Sequence, residues 1–440
     1  DVEKAKWCGD FDRAQRLIDR KLREVKLPFA AQKRLELERE ILKRMRLDYC
    51  YSEEEGLHIL QEHIPDFTRE ELQDLEDSSA IDWIYVNGKP HFCSRFYDTL
   101  IKVYPDIAKR AGEPISEENK EIQLLNDVIA EMQQQGFAAR KIHLRAGFQI
   151  ADSAFRPGEP LMVHLPIPTP AVNMRDIRIL SSQPEGGYLA PENAGQRTIC
   201  FTCAPTENKP FTVEYEYVSR ADYHVLDPDM VSLLQPDFDT QEQAPHIRFT
   251  PFIKALCQKL SAGEQNPLKL ARRFYDYCTT AVTYSYMREY FTLTQIPEYA
   301  GLNLKGDCGV QALLFITPCR CAGIPALWQS GLYVTPYDQS SHDWAQFYVA
   351  PFGWLFADPS FGGSAYRAGN KVRHDHYFGN LDPYRMAANS QFQWEFDPPK
   401  KQLRCDPYDN QSGEAEYPDR NLTVEEFTRT LELISMEPAE

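Results

Sequence analysis

The 440-residue sequence contains no long hydrophobic run and no surplus of positive charge. No window approaches the ~18 consecutive apolar residues that a membrane-spanning helix requires, so we expect no membrane partner. Lys and Arg together number 48 and Asp and Glu 65, which gives a net charge of −17. This charge repels phosphate backbones at long range. The composition therefore argues against nucleic acid as a partner.

The patterns of several common ligand sites are also missing. The sequence has neither a G-x-G-x-x-G motif nor a phosphate-binding loop, so nothing predicts a nucleotide cofactor. Cys200 and Cys203 have the spacing of half a zinc site, but they lie on a predicted strand and have no second matching pair. No acidic cluster has the spacing of a calcium loop. We therefore expect no metal and no other cofactor.

The eleven cysteines do not resemble a disulfide framework. Their number is odd and they are scattered from Cys8 to Cys405, whereas disulfide frameworks favour small secreted domains with even counts. The pattern favours a reducing compartment, and hence the cytoplasm. The sequence opens on Asp1 without a basic and apolar leader, which leaves open whether a signal peptide was removed.

What is present indicates a folded chain of about three domains, since domains average about 150 residues. Apolar residues make up 42% and charged residues 26%, as in soluble globular proteins. Residues 1–138 have mostly helical periodicity, with two helices around Pro28 and a hairpin at Asn87-Gly88. Residues 139–240 contain five short strand-like runs between Pro and Gly clusters, which predicts a β-sandwich. Residues 241–440 mix helices and strands, so we expect an α+β fold class.

The last part of this third region is predicted to be an acidic, loop-rich extension that ends in a helix. Thr423 resembles an N-cap, and Glu425 and Glu426 supply acidic residues for a first helical turn. We therefore expect a helix from Thr423 to about Ile434.

The segment Gly306-Asp307-Cys308-Gly309 precedes an apolar run that ends near Gly323. Asp307 suits an N-cap, so Cys308 falls in the first turn of a predicted helix. There, unpaired N–H groups and the helix dipole favour a thiolate and could receive a developing oxyanion. The alternative is a buried structural cysteine, which is the commoner fate of a single cysteine.

His342 and Asp358 are sixteen positions apart, and Ala350 lies at the midpoint beside Pro351 and Gly353, where a turn is expected. A hairpin with an odd-numbered loop centred on Ala350 would place the two residues opposite each other, with Cβ atoms roughly 4.5–5.5 Å apart. An imidazole that a carboxylate holds through one nitrogen can take a thiol proton through the other. The spacing therefore predicts a general base for a cysteine nucleophile.

These blocks resemble the core of the transglutaminase-like superfamily, which has a papain-like fold and a Cys-His-Asp triad. The resemblance implies that Cys308 is the nucleophile, His342 the base and Asp358 the residue that orients the imidazole. The β-rich region is similar to the strand domain that precedes this core in bacterial members. The resemblance covers roughly residues 250–365 and is carried by residues 306–309, 321–326, 328–331, 342–345 and 354–359.

Two features of the sequence lie outside the motifs of this family. Pro318 falls within the nucleophile helix, where it removes the hydrogen bond to Leu314 and predicts a kink about ten residues beyond Cys308. The motifs also leave the oxyanion-hole side chain unspecified. Upstream candidates to which we assign no role are Gln295, Tyr290 and Tyr284.

The resemblance implies acyl transfer at an amide or peptide bond through a thioester on Cys308. It leaves open hydrolysis, glutamine–lysine cross-linking and removal of an amide-linked group. We favour a cysteine peptidase or amidase that acts on a peptide or protein amide, because bacterial members with this architecture resemble such enzymes more than calcium-dependent cross-linkers. The rival hypothesis is a binding or scaffolding protein that retains the triad without turnover.

Overall fold

The computed structural model describes residues 1–24, 26–113 and 119–440. The chain divides into two compact units. The first, here called the helical unit, comprises Asp1–Asn119, Thr283–Thr294 and Lys305–Asp307. The second, the mixed unit, comprises Lys120–Val282, Gln295–Leu304 and Cys308–Glu440. Across the described ranges, no helix has both the length and the apolar composition needed to span a membrane.

The elements are numbered along the chain. The helices are α1 (Val2–Trp7), α2 (Phe11–Glu24), α3 (Phe29–Asp48), α4 (Glu53–His63), α5 (Arg69–Asp77), α6 (Phe96–Val103), α7 (Pro105–Arg110), α8 (Lys120–Gln135), α9 (Pro251–Ser261), α10 (Pro267–Ala281), α11 (Ile296–Asn303), α12 (Cys308–Cys321), α13 (Pro359–Arg367) and α14 (Lys371–His376). The strands are β1 (Tyr51–Ser52), β2 (Trp83–Val86), β3 (Lys89–Phe92), β4 (Phe137–Ile150), β5 (Leu161–Pro166), β6 (Met174–Gln183), β7 (Tyr188–Leu189), β8 (Thr198–Cys203), β9 (Phe211–Asp222), β10 (Thr283–Tyr284), β11 (Lys305–Gly306), β12 (Ala326–Val334), β13 (Gln339–Val349), β14 (Gly353–Ala357), β15 (Phe378–Gly379), β16 (Arg385–Asn389), β17 (Glu414–Tyr417), β18 (Arg420–Asn421) and β19 (Phe427–Pro438).

The helical unit contains the two helices and the hairpin that the sequence predicts. α2 and α3 lie on either side of Pro28 and share a core that includes Phe11, Ile18 and Leu42. β2 and β3 pair across Asn87 and Gly88, whose φ values of +51° and +85° are those of a two-residue hairpin turn. In this region, helical periodicity and the Asn-Gly turn were therefore sufficient to predict the two helices and the hairpin.

The predicted β-sandwich is built from two sheets with the strand orders β19-β4-β9-β6 and β18-β17-β5-β8-β7. All five predicted strand runs form strands, namely β4, β5, β6, β8 and β9. Alternate side chains of β4 and β9 point into a common core, among them Leu144, Phe148 and Tyr215. Strands from the last part of the chain complete both sheets, which the sequence analysis did not foresee.

The predicted helix from Thr423 to about Ile434 is wrong, because this stretch forms strand β19. Thr423 and Glu426 do form a capping box, but it caps only the 3₁₀ turn Val424–Glu426. From Phe427 onward, inward and outward side chains alternate, and the strand pairs antiparallel with β4. A period of two residues fits a half-buried edge strand. Pairing with β4 therefore outweighed the local capping signal and made this segment a strand rather than a helix.

A third sheet in the mixed unit has the order β15-β14-β13-β12-β16. It carries His342 on β13, and Asp358 directly follows β14. Helix α12 packs against β12 and β13, and its residues from Gly309 to Arg320 are all buried. The helix continues through Pro318 to Cys321. The mixture of helices and strands along the chain confirms the α+β fold class. The first turn of α12 is intact.

The strand assignment for β19 makes a testable distinction between two apolar residues seven positions apart. Phe427 is 8% exposed and its ring stacks on Phe148 at 4.4 Å, whereas Ile434 is 39% exposed. We expect Phe427→Ala to lower the free energy of unfolding by about 3 kcal/mol, and Ile434→Ala by less than about 1 kcal/mol. Urea unfolding followed by circular dichroism measures both. Equal losses would instead indicate a helix, in which these positions share one face.

Candidate active site

Cys308 is the first residue of α12, in the first helical turn that the sequence predicts. It is partly exposed, whereas the helix residues from Gly309 to Arg320 are buried. The Cys308 Sγ donates a hydrogen bond to Asp343 Oδ2 at 3.3 Å. Asp343 follows His342 on β13, so the thiol lies against the stretch of strand that carries the predicted base.

His342 and Asp358 form a buried hydrogen-bonded pair. His342 Nε2 lies 2.7 Å from Asp358 Oδ2, and the two residues are 5% and 0% exposed. The other carboxylate oxygen, Oδ1, accepts hydrogen bonds from the Phe361 N–H and the Ser360 hydroxyl and so caps helix α13. An ionised carboxylate can only accept, so Nε2 carries the proton and Nδ1 is the basic nitrogen of the imidazole.

The hairpin register proposed from the sequence is wrong, although the two residues do meet. Val349 pairs with Gly353, so the loop is centred on Pro351 rather than Ala350. Gly353 has a φ of +84°, and a three-residue hairpin loop needs such a residue at its end, which moves the centre by one position. Asp358 therefore follows β14 and lies diagonally from His342, within reach of a side chain as long as histidine's.

A buried arginine, which the sequence analysis missed, completes the surroundings of Asp358. Arg385 Nη2 lies 3.1 Å from Asp358 Oδ2 in an ion pair and donates to Asp382 Oδ2 at 2.6 Å, and all three residues are 0% exposed. Tyr377 donates its hydroxyl to the same Asp382 oxygen at 3.0 Å. The signal in the sequence was a charged residue within the otherwise apolar stretch of β16, since a buried charge requires a partner.

Burial and these neighbours shift the pKa values of the pair. Burial lowers the pKa of His342; the carboxylate of Asp358 opposes this shift and the guanidinium of Arg385 adds to it. Burial alone would raise the pKa of Asp358, but His342 and Arg385 hold it below its usual value. The result at neutral pH is a neutral imidazole held by an ionised carboxylate, which is the state that a general base requires.

The upstream candidates for an oxyanion-hole side chain have other contacts. Gln295 caps α11 and donates to the His246 carbonyl at 2.5 Å. Tyr290 donates to the Asp307 carboxylate at 2.5 Å, and Tyr284 lies under the ammonium of Lys102. We again assign none of them. Within the described residues, no group of three or more His, Cys, Asp or Glu side chains is arranged to hold a metal ion.

A family model described as the transglutaminase-like superfamily matches residues 254–359. This range begins in α9 and ends just after Asp358, so it includes Cys308 and His342 as well. The chain therefore carries a transglutaminase-like domain, as the sequence motifs predicted. The match supports a cysteine-dependent activity in general and does not separate hydrolysis from cross-linking. No curated protein sequence matches the chain.

Solved structures with a similar fold are distant in sequence. A candidate cysteine protease from Cytophaga hutchinsonii is 14% identical, with a TM-score of 0.37 over 69% of this chain and 90% of that one. The periplasmic domain of TgpA from Pseudomonas aeruginosa is 14% identical, with a TM-score of 0.29 over 57% of this chain and 96% of that one. Similarities at this distance carry no inference about activity.

The buried charges predict a large stability cost for the loss of Arg385. We expect Arg385→Met to lower the free energy of unfolding by about 3–5 kcal/mol, because two buried carboxylates lose their cation. The matched control is Arg178→Met, which removes an exposed arginine 2.9 Å from Glu216 and should cost less than about 1 kcal/mol. Urea unfolding at pH 7 compares the two. A small loss for Arg385→Met would contradict the proposed charge network.

Proposed function

We propose that this protein is a cysteine enzyme that transfers the acyl group of a peptide or protein amide, with hydrolysis as the outcome. In this proposal Cys308 is the nucleophile, His342 the general base and acid, and Asp358 the residue that orients the imidazole. The observation that carries it is the buried 2.7 Å hydrogen bond between His342 and Asp358. Cys308, at the start of α12, contacts the residue that follows His342 on β13.

The first half of the proposed reaction forms the thioester. His342 Nδ1 takes the proton of the Cys308 thiol, and the sulfur attacks the carbonyl carbon of the amide. The N–H groups of the first turn of α12 can donate to the oxyanion that develops. When the C–N bond breaks, the imidazolium returns its proton to the leaving amine.

The second half hydrolyses the thioester. His342 takes a proton from water, the oxygen attacks the acyl carbon, and the C–S bond breaks to release a carboxylic acid and restore the thiol. Throughout, Asp358 keeps Nδ1 directed away from its own carboxylate, because Nε2 is held there. Hydrolysis is supported by the partial exposure of Cys308, which gives water access to the acyl group.

The most direct test compares wild type with Cys308→Ser on a mixture of cell-wall peptides, protein digests and glutamine peptides that also contains a primary amine. We expect wild type to release free acids and amines or ammonia, measured by mass spectrometry, and Cys308→Ser to show no turnover. Cys203→Ser makes the same change at another partly exposed cysteine and should retain activity.

Each other outcome identifies a different function. Amine adducts in excess of free acid would favour a cross-linking enzyme and overturn the hydrolytic assignment. Binding of peptides without turnover in wild type would favour the non-catalytic alternative. Repeating the assay with and without calcium separates calcium-dependent cross-linking from both.

The pKa directions predict the pH dependence of turnover. The pKa of His342 lies below its usual 6.5, so the imidazole stays neutral as the pH falls through that value. We therefore expect the acid limb of kcat/KM below pH 6.5. Asp358→Asn removes a charge that raises the pKa of His342, so its acid limb should lie still lower. We also expect kcat to fall by about 10²–10⁴.

The partnership of the two residues is tested by their double mutant. His342→Ala removes the base itself, and members of one catalytic unit are not additive. The double mutant should therefore be little slower than His342→Ala alone. Additive losses, or an Asp358→Asn enzyme with the wild-type kcat and pH profile, would show that the residues act separately.

A further inference from the structure

The Cys308 thiol contacts an acidic residue that the proposed mechanism does not use. Its hydrogen bond to Asp343 Oδ2, at 3.3 Å, joins the nucleophile to a carboxyl group that is 4% exposed. A negative charge this close disfavours the thiolate form of cysteine. The contact therefore opposes the effect of the helix N-terminus, which by itself promotes the thiolate.

Asp343 is fixed in this position by Gln411. The Gln411 side-chain amide donates to Asp343 Oδ1 at 2.7 Å and to the His342 carbonyl at 3.0 Å. The backbone carbonyl of Gln411 accepts a hydrogen bond from Arg429 Nη1 at 3.0 Å, and this guanidinium also donates to the Ser341 hydroxyl. The carboxyl group of Asp343 is thus held against the thiol by contacts from the segment before β17 and from β19.

A second buried carboxyl group lies behind the first. Asp409 is 3% exposed, and its Oδ1 accepts hydrogen bonds from Ser330 Oγ at 2.5 Å and Asn389 Nδ2 at 2.6 Å. Burial raises the pKa of Asp409, and its hydrogen bond with Asp343 opposes that rise. Two carboxyl groups in such contact cannot both be ionised at low cost. Each carboxyl group therefore disfavours ionisation of the other, and one proton shared between them reduces this cost.

We infer that Asp343 is a positioning residue that holds Cys308 as a protonated thiol in the resting enzyme. This inference rests on the proposed function, in which the same thiol must later give its proton to His342. The negative charge of the Asp343–Asp409 pair keeps the proton on sulfur. His342 and Asp343 are neighbours on β13, whose successive side chains point to opposite faces of the sheet, so the thiol must leave Asp343 before it can give its proton to the imidazole.

The consequence is a nucleophile protected until substrate is bound. Thiolates, rather than thiols, react with alkylating agents and oxidants, so a thiol held by a carboxylate reacts slowly. The charged and titratable groups around Asp343 include Cys308 on α12, His342 on its own strand, Arg429 on β19, and Asp409 with the nearby Asp406 and Arg404.

The test is the rate at which iodoacetamide alkylates Cys308 between pH 5 and pH 10, measured by peptide mapping of the full-length protein. We expect Asp343→Asn to raise the rate at pH 7 about tenfold and to move the midpoint of the curve to lower pH by about one unit. Asp338→Asn, which removes the same charge just before β13, should stay within about twofold of wild type. Cys8, which is exposed, serves as a reference thiol in each sample.

A second variant guards against an indirect effect of the first. Gln411→Ala retains the charge of Asp343 but removes its clamp, so Cys308 should again react faster than in wild type, by a smaller factor. Slower alkylation in Asp343→Asn would make Asp343 a base that activates the thiol, and an unchanged pH curve would deny it any influence; either result overturns the inference. Because alkylation needs no turnover, a protein that fails to cleave amides contradicts the proposed function separately.

Discussion

One buried carboxylate, that of Asp358, links three parts of the mixed unit. One of its oxygens caps α13, and the other binds His342 on β13 and Arg385 on β16. Burying an ionised carboxylate is costly unless hydrogen bonds and an opposite charge compensate it. Displacing the helix or either strand would remove part of this compensation, so the requirement to satisfy the charge holds the three elements in one arrangement.

Arg385 supplies the positive charge that compensates Asp358, although its strand is not adjacent to β14. In the order β14-β13-β12-β16, two strands separate β16 from β14, after which Asp358 lies. The Arg385 side chain bridges this gap with its guanidinium 5.0 Å from the ring centre of Tyr333 and 4.3 Å from that of Phe361. A planar, delocalised cation can stack on aromatic rings and donate to two carboxylates at once, which a lysine ammonium does less well. The aromatic surroundings thus exclude water, while Nε and Nη2 keep their carboxylate partners.

Features that depend on neighbours in sequence were predicted correctly, whereas features that depend on distant parts of the chain were not. The hairpin at Asn87-Gly88 and the start of α12 at Cys308 depend on neighbours in sequence, and both were predicted correctly. The hairpin after His342 was misplaced by one residue because the glycine at 353, rather than the midpoint of the spacing, fixes the loop. The capping signal at Thr423 was real but was overridden by pairing with β4.

The candidate site shows the same division. Its three motif residues could be named from sequence because each lies in a recognisable local block. Arg385 and Gln411 could not, since they reach the site only through long-range packing, from 27 positions beyond Asp358 and 69 beyond His342. A buried charge in an apolar strand indicates that a partner exists, but the sequence does not say which of many carboxylates it is.

The two aspartates near His342 exert opposite effects on the proposed chemistry. Asp358 contacts the imidazole and stabilises its protonated form, which favours transfer of a proton from sulfur to nitrogen. Asp343 contacts the sulfur and stabilises the proton where it is. A thiolate–imidazolium pair would therefore gain from one carboxylate and lose from the other while the thiol stays in the position described here. Loss of the contact between the sulfur and Asp343 would remove the unfavourable contribution and keep the favourable one, so in the proposed chemistry this contact controls the ionisation state of the pair.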